Sequence, residues 1–214
     1  MDSALEIVVM LLLLADMALF GLSLLSTCIT VVAIQGVLLG FYALFAQGGP
    51  LSIRLILIAI FSAFLKGFIF PYLLKRAVKE AGVRREIEPF VGYSLSVIVG
   101  VALLGASLWL GSKIALMAVP LHPFAVPASF MTLFTGLFLI IARKKALLQC
   151  LGYIVFENGI YMFGMAAAGE IPALIELGIL LDAFVAVFVM GIVIYHINRE
   201  FDHIDSDRLS SLKG

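Results

Sequence analysis

Residues 143–164 have the sequence RKKALLQCLGYIVFENGIYMFG, a basic cluster followed by an apolar stretch that Glu157 and Asn158 interrupt. Along a helix that rises about 1.5 Å per residue, Glu157 lies roughly 18 Å beyond the basic cluster. That depth is near the midplane of a hydrocarbon core about 30 Å thick. A charge at the midplane is costly, so we expect Glu157 to belong to an ion pathway or to a buried ion pair.

The composition indicates an integral membrane protein. Hydrophobic residues make up 63% of the chain and charged residues 13%, whereas soluble domains are about half apolar and a quarter charged. Soluble classes are therefore excluded, and a net charge of zero gives no indication of a nucleic-acid partner. Asp2 and Glu6 stand where a secretory signal carries cations, so we expect no cleaved signal peptide. Cys28 and Cys150 are expected to be small packing residues without metal-binding spacing.

Apolar segments long enough to cross a bilayer recur along the whole chain. They lie at about 5–26, 28–47, 52–75, 91–112, 124–142, 145–167 and 172–196. Continuous apolar runs favour helices, because open strands cannot satisfy their backbone hydrogen bonds in lipid. The sequence therefore predicts an all-α fold, a polytopic transmembrane helix bundle of about seven spans.

The distribution of cations predicts the orientation in the membrane. With seven crossings, eleven of the 14 Lys and Arg residues fall on one side. They are Lys75, Arg76, Lys79, Arg84, Arg85, Arg143, Lys144, Lys145, Arg199, Arg208 and Lys213. Cytoplasmic loops carry the excess of cations, so the N-terminus is predicted outside and the C-terminus in the cytoplasm. Residues 75–89 are interpreted as a solvated cytoplasmic loop, with a short surface helix or a docking surface as the alternatives.

An offset of 122 residues relates the two halves of the chain. It places Gln35 on Glu157 and Pro50 on Pro172, so that spans 1–3 resemble spans 5–7. Such a parallel three-helix repeat needs one connecting span, and transporter folds contain repeats of this kind. The sequence therefore predicts four parts. A three-helix unit with a basic cytoplasmic loop covers 1–90, and a connecting helix with an outer loop covers 91–123. A second three-helix unit covers 124–198, and a polar cytoplasmic tail covers 199–214.

Four charged residues inside the predicted spans are candidate proton-path residues. Glu157 and Asp182 lie centrally in spans 6 and 7, Lys66 in the cytoplasmic half of span 3, and Asp16 midway along span 1. Acids on sequential helices together with a lysine form a row of titratable groups whose protonation can be coupled. The alternative for each residue is a polar side chain satisfied by a partner between packed helices.

Lys66 precedes a predicted break in its helix. Pro71 has no N–H to donate to the carbonyl of Gly67, four residues earlier. We expect a kink that frees this carbonyl beside the ammonium group, a distortion tolerated in membranes where protein or water satisfies the backbone. A structural kink without function is the alternative.

The segment GLFLIIARKKALLQCLGYIVFENGIYMF at 136–163 resembles the first two helices of the K subunit of bacterial complex I, which is related to the C subunit of Mrp antiporters. In that family a basic pair opens the second helix, a glutamate lies at its centre, and the third helix carries a second acid. Here the second acid is Asp182 in ILLDAFVAVF, which departs from the usual glutamate. The full chain, with its LKGFIFP segment at 65–71, resembles hydrogenase-4 component E, a membrane subunit of formate-hydrogenlyase-type hydrogenases.

This resemblance implies a non-catalytic membrane-arm subunit in the cytoplasmic membrane of a prokaryote. Its implied partners are the lipid bilayer, antiporter-like membrane subunits and a peripheral hydrogenase arm that holds the nickel–iron and iron–sulfur centres, with no cofactor in this chain. The resemblance implies that Glu157 and Asp182 are proton-path acids. It implies the same role less directly for Lys66, and it gives no support for Asp16. Two alternatives stay open: a scaffold subunit without its own ion path, and a stand-alone carrier for a small ion or solute.

Overall fold

The computed structural model describes residues 2–46, 53–80, 91–115, 123–143, 145–168 and 191. Within them the chain is helical, with seven α-helices and one π-helical turn. The helices are α1 (Asp2–Gly21), α2 (Leu25–Ala46), α3 (Ile53–Phe64), the π turn (Leu65–Ile69), α4 (Phe70–Glu80), α5 (Tyr93–Ala115), α6 (Ala125–Ala142) and α7 (Ala146–Ala168). The predicted seventh span at 172–196, with Asp182, and the tail at 199–214 lie outside the described residues.

The predicted fold class is confirmed. Four of the described helices, namely α1, α2, α5 and α6, are long and apolar enough to cross a membrane. The helices α2, α5, α6 and α7 begin and end within three residues of the spans predicted for them. The chain is an all-α, multi-pass membrane protein, and its total of about seven spans remains a prediction.

The third predicted span contains a π-helical turn where a kink was expected. The turn covers Leu65–Ile69, directly before Pro71, and the N–H of Phe70 donates to the carbonyl of Leu65, five residues earlier. A π turn adjusts the backbone where proline cannot supply the ordinary helical hydrogen bond. The prediction of a loop from residue 75 onward is wrong as far as Glu80, since α4 continues to that residue with Lys75 and Lys79 on its exposed face.

Small residues let the helices approach closely. A Cβ atom built on Gly36 of α2 would lie 2.5 Å from the Cβ of Lys66, and one on Gly40 would lie 2.7 Å from the Cβ of Ala63. On α6, a Cβ atom on Gly136 would collide with the backbone nitrogen of Phe156 on α7. Close backbone contact of this kind is the usual basis of helix association in membranes.

The core is divided into two apolar clusters with a polar layer between them. One cluster contains Leu25, Phe70 and Leu148, and the other contains Leu12, Tyr42, Ala128 and Met162, each among further apolar residues. On α1, α2 and α7 the sequence positions between these clusters hold buried polar residues, and the π turn adds one more. They are Asp16, Gln35, Lys66, Glu157 and Asn158. The helix core therefore collects its polar side chains at one level.

The helix bounds agree with the 122-residue offset. Shifted by that number, α1 and α2 would cover 124–143 and 147–168, within one residue of α6 and α7 at every end. The helix α1 packs on α2 as α6 packs on α7, and the two pairs contact each other through α1 with α6 and α2 with α7. The third helices of the proposed units cannot be compared, because 171–190 lie outside the described residues, so the duplication remains a prediction.

Candidate functional site

A buried ion pair joins the π turn to α7. The Nζ atom of Lys66 donates to Oε1 of Glu157 at 3.3 Å and to Oδ1 of Asn158 at 3.1 Å. Lys66 and Glu157 are each only 2% exposed. The same ammonium lies 5.6 Å from the centre of the Tyr161 ring, a distance at which the face of an aromatic ring attracts a cation. The two opposite charges are therefore held together inside the helix core.

The backbone around Lys66 explains why its side chain reaches α7. Lys66 lies in the π turn, and its Cβ and main chain pack directly against Gly36. Since Gly36 has no side chain, α2 leaves room for the lysine beside it. On the other side, Gly159 lies against Leu133 with no space for a Cβ atom, so α7 stays close to α6 at the level of Glu157. The pair depends on helix packing as much as on charge.

Asp16 belongs to a second polar group on the same layer. Its Oδ1 accepts a hydrogen bond from Nε2 of Gln35 at 2.7 Å, and its Oδ2 lies 2.7 Å from Oγ1 of Thr132. Thr132 Oγ1 also lies 3.0 Å from the carbonyl oxygen of Ala128, one turn earlier on α6. Asp16 and Gln35 have no exposed surface. This group connects α1, α2 and α6.

The structure thus brings together two of the four candidate residues from the sequence. Lys66 and Glu157 form a direct ion pair, whereas the sequence predicted only that both belong to a row of titratable groups. Asp16 lies in a separate group with Gln35 and Thr132, and Asp182 lies outside the described residues. Whether any of them carries protons stays a prediction.

Thr132 was not among the residues predicted from the sequence. A signal for it exists, because Ser129, Thr132 and Thr135 follow at three-residue intervals in an otherwise apolar helix and therefore share one face. All three are buried, and each hydroxyl lies within hydrogen-bonding distance of a carbonyl oxygen in the preceding turn. Of the three, Thr132 alone also contacts an acid among the described residues.

Arg143 is more deeply buried than its place in a basic loop suggested. It has no exposed surface, and its Nη2 lies 3.5 Å from the carbonyl oxygen of Phe20. The guanidinium carbon lies 5.8 Å from the Tyr93 ring centre and 5.7 Å from the Phe138 ring centre. Among the described residues, its Nε and Nη1 atoms have no hydrogen-bond partner. The sequence alone could not distinguish this buried cation from the exposed cations of α4.

Lys66 and Glu157 are two titratable groups in direct contact. A buried carboxylate and ammonium can exist as an ion pair or, after proton transfer, as a neutral acid and amine, and the state of one group affects the other. Cys28 and Cys150 are buried in one apolar cluster, as expected for packing residues. In the part of the chain that the structure describes, no group of three or more His, Cys, Asp or Glu side chains is arranged to hold a metal ion.

Comparisons with known proteins identify related membrane chains. Residues 124–214 match the family described as NADH-ubiquinone/plastoquinone oxidoreductase chain 4L. The chain is 30% identical over 160 residues to the uncharacterized protein Rv0085 of Mycobacterium tuberculosis, covering 74% of this chain and 73% of that protein. It is also 37% identical over 79 residues to hydrogenase-4 component E of Escherichia coli K12, covering 37% of each chain. The match to component E of Shigella flexneri has the same identity and coverage.

The chain therefore matches little more than a third of the length of hydrogenase-4 component E. No solved structure matches the chain. The resemblances predicted from the sequence to the chain 4L/K family and to component E are confirmed, and the match to component E covers 37% of the chain.

Proposed function

We propose that the chain, which belongs to the family of the Mycobacterium tuberculosis protein, is a membrane-arm subunit of a complex I-related, energy-converting nickel–iron hydrogenase. Its C-terminal part matches the chain 4L family, and it is homologous to hydrogenase-4 component E. The subunit contributes intramembrane acids to a proton path that is coupled to electron transfer in partner subunits. It does not itself catalyse redox chemistry. The nickel–iron and iron–sulfur centres belong to the peripheral arm, and antiporter-like subunits adjoin it in the membrane.

The observation that carries this proposal is the buried pair of Lys66 and Glu157. Glu157 lies in the segment that matches the chain 4L family, whereas Lys66 lies in the N-terminal unit, outside that match. The pair therefore couples the family's acid-bearing helix to an element that the matched segment lacks. Buried charges in membrane spans are costly and are characteristic of ion pathways, which supports a functional interpretation.

The pair can act as a proton-controlled contact. A proton that reaches Glu157 neutralises the carboxylate and removes its attraction for the Lys66 ammonium. The ammonium then keeps its hydrogen bond to Asn158 and is no longer held to α7 by an opposite charge. Loss of the proton from Glu157 restores the pair, so the contact between the units follows the protonation of one carboxyl group.

Asp182 and Asp16 extend this path in the proposal. Asp182 follows Glu157 on the next predicted span, and aspartate has one methylene fewer than the family's glutamate, so a water molecule is expected to bridge the two acids. The subunit lies in the cytoplasmic membrane of a prokaryote with its N-terminus outside and its C-terminus in the cytoplasm. The distribution of cations supports that orientation.

The test is proton movement by a complex that carries Glu157→Gln. Inverted membrane vesicles are supplied with a reductant for the hydrogenase, and hydrogen production and vesicle acidification are recorded together. We expect the complex to assemble and produce hydrogen while acidification is lost or strongly reduced. Glu6→Gln is the matched control, because Glu6 is exposed on α1, and it should acidify normally. Normal acidification by an assembled Glu157→Gln complex would contradict the proposal.

A second candidate function is that of a scaffold subunit. The burial of the Lys66–Glu157 ion pair favours this function. Both charges are almost completely buried and are bonded to each other across two units, an arrangement that also fixes the relative position of helices. A scaffold needs the pair for assembly alone. It predicts that any combination of residues that preserves assembly also preserves acidification.

A further inference from the structure

The carboxyl group of Asp16 is buried among neutral partners. It has no exposed surface, and its two side-chain partners are the amide of Gln35 and the hydroxyl of Thr132. In contrast to Glu157, it has no cation among its hydrogen-bond partners in the described residues. A carboxylate placed in an apolar core without a cation is strongly disfavoured, and such a group is usually found neutral instead.

The helices around Asp16 offer no counter-charge at its level. The helix α1 packs against α2, α5 and α6, and α1, α2 and α6 contain no Lys, Arg or His. Their remaining titratable groups, with those of α5, lie elsewhere along the helices: Asp2, Glu6, Cys28, Tyr42, Tyr93 and Lys113. Two described cations that contact α1 or α2 have other partners: Lys66, which packs against Gly36 of α2, bonds Glu157, and Arg143 lies against the Phe20 carbonyl of α1. Among the described residues, Asp16 therefore has neutral hydrogen-bond partners and no cation to balance a carboxylate charge.

The contacts of Thr132 indicate where the proton lies. Its hydroxyl is 2.7 Å from Asp16 Oδ2 and 3.0 Å from the carbonyl oxygen of Ala128. A hydroxyl has one proton to donate, and a carbonyl oxygen has none. If Thr132 donates to Ala128, the proton between Thr132 and Asp16 must belong to Asp16. When Asp16 is a carboxylic acid, each contact has its own proton, whereas a carboxylate would have to share the single hydroxyl proton of Thr132 with the Ala128 carbonyl.

We propose that Asp16 is a proton-binding site held as the neutral acid, with its O–H donating to Thr132 and its carbonyl oxygen accepting from Gln35. It is a second proton-loading site, in the N-terminal unit and separate from the pair of Lys66 and Glu157. Its protonation state stands on the geometry alone, whereas its use in transport rests on the proposed function.

Release and reloading of the proton involve a small rearrangement. The proton leaves Oδ2 for a water molecule or another carboxylate, and the O–H bond electrons stay on Asp16 as the carboxylate charge. The Thr132 hydroxyl then turns from Ala128 to donate to Oδ2, while Gln35 donates to Oδ1 in both states. The Ala128 carbonyl keeps its ordinary helical bond from the backbone of Thr132. The anion gains one donor and no cation, so it is readily reprotonated.

Infrared spectroscopy of the purified full chain in lipid nanodiscs tests the protonation state. At neutral pH, the wild type should show the carbonyl stretching band of a protonated carboxylic acid, shifted by isotope-labelled aspartate and absent in Asp16→Asn. Asp16→Asn retains the shape of the neutral acid and so is expected to fold. Thr132→Val removes the acceptor of the acid proton and should move the band to higher frequency, whereas Thr132→Ser retains the hydroxyl and should leave it in place.

Three outcomes separate this inference from the proposed function. If Asp16→Asn removes a carboxylate band instead of an acid band, Asp16 is ionised and the inference is wrong. If the acid band is present but vesicles carrying Asp16→Asn acidify normally, Asp16 is not a loading site and the inference is again wrong. If the acid band is present, Asp16→Asn abolishes acidification and Glu157→Gln acidifies normally, the inference on Asp16 stands and the role proposed for Glu157 fails.

Discussion

Neutralising one or both members of the Lys66–Glu157 pair should give strongly non-additive losses of stability. The two charged atoms are 3.3 Å apart and almost fully buried. At an effective dielectric constant of about 20, their attraction at this distance is roughly 5 kcal/mol. Desolvation offsets part of that attraction, so the pair contributes less than this to folding. A single neutralisation, however, leaves the other charge buried without its partner, which costs about 3–5 kcal/mol.

We therefore expect Lys66→Met and Glu157→Gln each to lower the free energy of unfolding by about 3–5 kcal/mol. Glu157→Gln should fall near the lower end, because the ammonium keeps its hydrogen bond to Asn158. The double variant should lose less than about 2 kcal/mol, since replacing both members of a buried pair is often close to neutral. The interaction energy from the double-mutant cycle is then about 4 kcal/mol or more.

The assay is reversible unfolding of the purified chain in mixed micelles, followed by the helical signal in circular dichroism. The exposed residues Glu6 and Lys113 provide a matched cycle, with Glu6→Gln and Lys113→Met, in which the effects should be small and additive. Additive losses at positions 66 and 157, with the double variant as unstable as the sum of the single variants, would show that the two charges do not stabilise each other. The ion pair of Lys66 and Glu157 would then contribute nothing to the free energy of unfolding.

Three further substitutions test the surroundings of the polar layer. Gly36→Ala would place a Cβ atom 2.5 Å from the Cβ of Lys66 and should cost about 1–3 kcal/mol by overpacking. Gly105→Ala is the control: apart from the neighbouring backbone of its own helix, no described atom lies within 4 Å of the new Cβ, so thermal unfolding should be unchanged or its midpoint slightly raised. Pro71→Ala supplies the missing N–H, so the π turn should relax to an α-helix and rotate Lys66 by about 100°. Because this rotation breaks the ion pair with Glu157, acidification by the complex and the thermal midpoint of the chain should both fall. Arg143→Met removes a buried cation of which two nitrogen atoms have no hydrogen-bond partner among the described residues. The thermal midpoint of the isolated chain should therefore be maintained or rise, and a large fall would mean that the cation–π contacts stabilise the chain.

The helix positions could be predicted from the sequence because lipid permits few alternatives. A long apolar run in a bilayer must form a helix, and its length is set by the hydrocarbon thickness. The ends of α6 and α7 were therefore predicted to within one residue. The break near Pro71 was also predictable, since the missing N–H acts within a single helix, although its form as a π turn was not.

The partners of the charged residues could not be predicted from the sequence. Lys66 reaches Glu157 because Gly36 leaves space at the level of the π turn, a relation between residues far apart in the chain. Asp16 was recognised as a buried acid, but its environment depends on Thr132 facing it from α6. Arg143 was assigned to a loop because charge patterns show which side of the membrane a cation is on and not how deeply it is buried.

The measurement that tests the central claim most directly is acidification by a complex that carries Lys66→Met together with Glu157→Gln. With both charges removed, neither residue is left as a buried charge without its partner, so the complex should assemble and continue to produce hydrogen. If Glu157 is part of the proton path, hydrogen production by these vesicles should proceed with little or no acidification. Wild-type acidification per hydrogen produced would contradict that role and would identify the subunit as a scaffold.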